Sequence, residues 1–85
     1  MPNPFRARTT LAYDLARQNR VTLRIYDVSG RLVRSLVSGA VQEAGRHTAE
    51  WDGRDGAGAA TGAGLYFCRL EADGQSDVRR VVRVR

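Results

Sequence analysis

The segment Glu50-Trp51-Asp52-Gly53-Arg54-Asp55 packs three carboxylates into six residues, a density at which calcium binding has to be considered. A calcium loop places oxygen ligands at alternate positions ahead of a glycine, and Arg54 stands where a ligand is needed. The spacing assigns Asp52 instead to a turn closing a strand, and Asp55-Gly56 to a second turn. His47 and Cys68 are the next pair to weigh, as base and nucleophile. They fall on separate strands, both facing inward, and no third group is placed to orient the imidazole. A glycine-rich run follows, with Gly53, Gly56, Gly58, Gly62 and Gly64. A phosphate cradle lies between a strand and a helix amino terminus, whereas the strand Leu65-Tyr66-Phe67 comes next here. The residues with the right chemistry therefore lack the right neighbours. They predict a domain with no catalytic residues, no metal, no cofactor and no small-molecule substrate.

Length and charge narrow the classes further. A chain of 85 residues is expected to form one domain, 1–85. A domain of this size buries only roughly 60–65% of its unfolded surface, which leaves little room for a deep cavity. Cys68 is the single cysteine, so no intrachain disulfide can form and the apolar core must hold the fold alone. All fourteen basic residues are arginine, and the net charge is +5. Such a charge attracts nucleic acid, anionic glycolipid or acidic protein surfaces. The arginines are scattered along alternating strand positions, however, which reads as a solvated face and not as a nucleic-acid footprint. No stretch is long and apolar enough to span a membrane, and Met1-Pro2-Asn3-Pro4-Phe5 has none of the apolar core of a signal peptide.

The elements that carry these residues are strands. Leu11, Tyr13 and Leu15 alternate with Thr10, Ala12 and Asp14, giving a half-buried strand over 9–15. Val21, Leu23 and Ile25 alternate with Thr22, Arg24 and Tyr26 over 20–28. Asp27 is placed to accept bonds from turn amides, and Gly30 supplies the positive φ a hairpin needs, so 31–37 returns as the next strand. The apolar face of that returning strand is not clean, the mark of an edge or a bulge. Residues 38–45 show no period and read as a loop. His47, Ala49 and Trp51 share one face of a strand over 46–51, with Trp51 predicted to lie in the core between sheets. Tyr66, Cys68 and Leu70 share a face over 65–72, and Asp73-Gly74 is a two-residue hairpin centre. The last strand, from Ser76, is expected to put Val78, Val82 and Val84 together, with Arg80 as the exception. Six or seven short strands without helical periodicity predict an all-β antiparallel sandwich.

Several of these segments stand in a familiar order. They are Asn3-Pro4-Phe5, Thr9-Thr10, the hairpin from Val21 to Arg31, Ala44-Gly45-Arg46-His47 and Trp51-Asp52-Gly53-Arg54-Asp55. Gly58, Gly64-Leu65-Tyr66-Phe67, Arg69-Leu70-Glu71-Ala72 and Arg79-Arg80-Val81-Val82 follow. Together they resemble the type A carboxy-terminal sorting domain of type IX secretion cargo. They are similar in equal measure to the immunoglobulin-like domain of the flagellar hook-capping protein. Arg6-Ala7-Arg8 departs from the sorting pattern, which often repeats Asn-Pro after the phenylalanine, and Cys68 stands where an aromatic residue is common.

The resemblance implies an immunoglobulin-like, fibronectin III-like sandwich of seven strands and no enzymatic activity. It implies secretion or cell-surface display as part of a longer exported protein. The implied partners are the outer-membrane secretion machinery and a sortase-like peptidase. The family's recognised carboxy-terminal stretch falls on Arg79, Arg80, Val81, Val82, Arg83 and Val84. The hook-cap branch implies the alternative, a structural or adhesive unit that self-associates through edge strands.

Overall fold

A computed structural model describes Pro4, Phe5 and residues 7–84. Asn3 and Arg6 of the amino-terminal motif lie outside the described residues. The order of elements is β1 (Pro4–Phe5), β2 (Thr9–Leu15), β3 (Asn19–Asp27), β4 (Leu32–Gln42), β5 (Gly45–Trp51), β6 (Gly64–Ala72) and β7 (Gln75–Arg83). A five-stranded sheet of order β1-β7-β6-β3-β4 packs over a two-stranded sheet, β2-β5. Among the described residues all strand pairings are antiparallel except one: β1 runs parallel to β7, with Pro4 opposite Val82 and Phe5 opposite Arg83.

The alternation read from the sequence fills the space between the sheets. Leu11, Tyr13 and Leu15 of β2 meet Val21, Leu23 and Ile25 of β3, with Tyr66 and Cys68 of β6 and Val81 of β7. Trp51 closes the core from the end of β5 and is 0% exposed. Its ring meets Tyr66 edge-on at 5.1 Å between centroids, and its indole N–H donates to the Arg54 carbonyl at 2.9 Å. That bond removes the one polar cost of burying the largest side chain in the protein.

Both predicted turns form as their chemistry requires. Asp27 Oδ1 accepts from the Ser29 and Arg31 amides at 2.9 and 3.0 Å, and Gly30 takes φ +85°. Asp73 and Gly74 both adopt positive φ, 56° and 70°, the geometry of a type I′ turn between β6 and β7.

The structure corrects the sequence reading in two places. Residues 38–42 are strand and not loop, because β4 runs on to Gln42 along β3. The register shifts three times, leaving Val33, Leu36 and Gly39 without partners on β3. Each bulge flips the inward–outward phase, so no period survives over the strand's length. The second correction concerns β7, where Val81 is the fully buried residue and Val78 is 55% exposed. Arg79 and Arg83, not Val78 and Val82, share the inward face with Val81. Both sit near the sandwich rim, where a long side chain can lay its stem inside and reach a carbonyl with its head.

Candidate functional site

β7 carries five of the six residues singled out from the sequence, with Val84 directly after it, and the fold sorts them. Arg80 is exposed on the outer face, opposite Phe67 of β6, with Val82 opposite Leu65 beside it. Val81 belongs to the core. Arg79 Nη1 donates to the Ala12 carbonyl of β2 at 2.7 Å, tying the two sheets together across their open side, while its Nε meets Asp77 at 3.3 Å. Val84 is half-buried just past the strand's end.

Arg83 turns inward against the irregular segment 52–63, where its guanidinium donates to the Thr61 carbonyl. Thr61 in turn donates to the Gly53 carbonyl through both its amide, at 2.9 Å, and its hydroxyl, at 2.7 Å. Gly53 has φ +74°, and a Cβ there would stand 2.6 Å from Arg83 Nε. This triangle of Gly53, Thr61 and Arg83 is a structural unit that sequence reasoning missed. Its members are far apart in the chain, and only the tertiary fold joins them.

β7 also presents an incompletely used edge. Among the described residues β1 pairs only with Val82 and Arg83, so the stretch from Gln75 to Val81 has no strand partner on that side. Backbone donors and acceptors along such an edge are available to an added strand.

The residues considered for chemistry are otherwise engaged. Asp52 Oδ1 accepts from the Arg54 amide at 3.0 Å and from Arg34 at 3.0 Å. The amide bond comes first among the causes that hold the Asp52 carboxyl below its ordinary value. Asp55 Oδ1 accepts from the Ala57 and Ala59 amides at 2.9 and 3.0 Å, the second turn expected. Among the described residues no three His, Cys, Asp or Glu side chains gather as a metal site would require. His47 lies on the two-stranded sheet, where it donates to the Glu43 carbonyl at 2.6 Å and stacks on Tyr13. Cys68 lies on the other sheet, buried, and desolvation pushes its thiol up to about 11. The two do not form a pair.

What these features define is an immunoglobulin-like β-sandwich whose available chemistry lies on strand edges and sheet faces. The sequence matches the FlgD Ig-like domain pattern over residues 6–76, and the chain belongs to that family. No curated protein sequence matches it.

Among solved structures it is similar to dimeric latent PorU from Porphyromonas gingivalis, at 25% identity and TM-score 0.75 over 98% of this chain. It is similar to FlgD from P. aeruginosa at 25% identity and TM-score 0.66 over 86% of this chain. PorZ, a surface component of the type-IX secretion system of Porphyromonas gingivalis, shares the fold at 19% identity and TM-score 0.60 over 89% of this chain. The chain spans 9% of PorU, 58% of FlgD and 11% of PorZ.

Proposed function

We propose that this domain is a non-enzymatic sorting and surface-anchoring module of a secreted bacterial protein, read by outer-membrane secretion machinery and a sortase-like peptidase. The observation that carries the reading is β7, with an edge from Gln75 to Val81 that is unpaired among the described residues and an exposed Arg80 beside it. Its residues occupy the positions of the stretch recognised in the sorting domains that the chain resembles. Strand addition along the edge supplies directional hydrogen bonds, and Arg80 speeds encounter with an acidic receptor. The likeness to PorU, in which such a domain is a small part of a long chain, supports a role in service of a larger protein.

The FlgD family match supports a second reading, a structural unit that assembles with copies of itself. One experiment separates the two. The domain is fused behind a periplasmic reporter in a host with a type IX system, alongside a truncation lacking residues 79–85 and the variant Arg80→Glu. Truncation removes Val81 from the core and so disturbs folding, whereas Arg80→Glu changes only an outward side chain. The intact fusion is expected on the cell surface, the truncation in the periplasm and Arg80→Glu at reduced surface level. A surface level unchanged by the truncation, or no display of the intact fusion, overturns the sorting reading. Ordered multimers of the purified domain would then favour assembly.

A further inference from the structure

The register of the five-stranded sheet brings together side chains that are scattered in the sequence. Among the described residues only one face of this sheet is covered by strands, β2 and β5. On the other, Leu32, Tyr26, Phe67 and Arg80 stand in one row across β4, β3, β6 and β7. The adjacent row holds Arg24, Arg69 and Val78. At about 4.8 Å between strands, a four-strand row is roughly 14 Å wide, enough to seat one extended segment or one helix.

Two properties of this face do not serve the fold. Arg24 and Arg69 are direct cross-strand neighbours, and like charges so placed destabilise a sheet. Glu71 lies 3.3 Å from Arg69, but among the described residues Arg24 and Arg80 have no carboxylate partner. Arg24 Nε is moreover shielded from solvent and makes no hydrogen bond among the described residues. The apolar members are equally uncompensated: Leu32 is 50% exposed and Val78 55%, with Tyr26 and Phe67 half-buried between them.

We infer that this face is a docking surface for an acidic protein segment that also bears apolar side chains. Charge selects the occupant. A second copy of the chain would bring the same arginines against these and be repelled. A nucleic acid would satisfy the guanidiniums but set phosphate and sugar against Leu32 and Val78. An acidic segment with apolar residues relieves the Arg24–Arg69 repulsion and covers both aliphatic side chains at once. The inference shares Arg80 with the sorting proposal but rests on the sheet's face, through Arg24, Arg69, Leu32 and Val78, where that proposal rests on the edge of β7.

The test uses the whole 85-residue chain. The probe is a synthetic peptide of about ten residues alternating Glu with Leu or Phe, matched to strand length at about 3.3 Å per residue. A Gln-for-Glu version and a short single-stranded DNA serve as comparisons. Backbone amide shifts locate binding, and fluorescence anisotropy measures it. The Glu peptide is expected to shift β3, β6 and β7, with affinity at least about tenfold lower for Arg69→Glu/Arg80→Glu and for the Gln peptide. Leu32→Ser/Val78→Ser is expected to lose about fivefold, the worth of two modest apolar contacts. Arg8→Glu/Arg46→Glu, on the far side, should change affinity less than about twofold. Arg69→Gln/Arg80→Gln replaces the charge-reversed pair if that pair melts early. The inference fails if the far-side pair loses as much affinity or the Gln peptide binds equally. It fails also if DNA alone shifts these strands.

Discussion

Replacing Gly53 with alanine tests the tie between the irregular segment and the last strand. Two costs add. At φ +74° an alanine pays the left-handed penalty of about 1–2 kcal/mol. Its Cβ would also stand 2.6 Å from Arg83 Nε, so the guanidinium must leave the Thr61 carbonyl. A hydrogen bond made by a charged donor contributes about 1.5–3 kcal/mol. Gly53→Ala should thus cost about 2.5–5 kcal/mol in all, a large share of the roughly 5–10 kcal/mol that holds a domain this small.

Urea unfolding followed by the fluorescence of Trp51, the single tryptophan, reads the effect directly. In an Arg83→Ala background only the backbone strain remains, so the same substitution should cost about 1–2 kcal/mol. The coupling in the double-mutant cycle is then on the order of 1.5–3 kcal/mol. Equal costs in the two backgrounds would refute the reasoning, since Arg83 could not then be seated against Gly53.

Trp51→Ala should cost about 3–5 kcal/mol, because it empties a fully buried site and removes the indole's bond to the Arg54 carbonyl. Native-like melting of that variant would place Trp51 outside the core. Cys68 should resist iodoacetamide in the native state at neutral pH and react fully in urea, since burial keeps its thiol protonated and covered. Labelling of the folded protein at a free-thiol rate would contradict that environment. Asp27, Asp52 and Asp73 all hold their carboxyls below the ordinary value, led respectively by the Ser29 side chain, the Arg54 amide and the Arg17 side chain. The unfolded chain therefore takes up these protons first as pH falls. Their stabilisation is complete above about pH 4 and is lost progressively below it. Melting temperature should drop through that acid range, and less steeply for Asp27→Asn.

Where one face of a strand was apolar without interruption, the sequence sufficed to orient it, as in β2, β3 and β6. The turns at Asp27 and at Asp73-Gly74 were legible for a local reason, a carboxylate or glycine that answers the backbone within a few residues. β4 was not legible, because Val33, Leu36 and Gly39 bulge out of register and break the alternation that identifies a strand. β7 misled for the opposite reason: its valines alternate, Arg80 apart, but Arg79 and Arg83 share the inward face with Val81, which a hydrophobic pattern cannot reveal. The rows on the outer face were out of reach altogether. Arg24, Arg69 and Arg80 become neighbours only through β3–β6 and β6–β7 pairing, and scattered arginines in one dimension turned out to be an ordered array in two.

The bulged strand has a bearing on growth. A sheet polymerises without limit only when each unit offers two pairable edges, one to receive and one to donate. In the five-stranded sheet β4 forms one edge, kinked three times along its length and bonded near its start by the Gly56 amide to the Val33 carbonyl. The opposite edge, along β7, is straight and largely unclaimed among the described residues. The two edges of this sheet are therefore unequal: β7 is paired in unbroken register, and β4 is not. A strand added along β7 would find no equivalent edge at β4 from which to continue the same sheet.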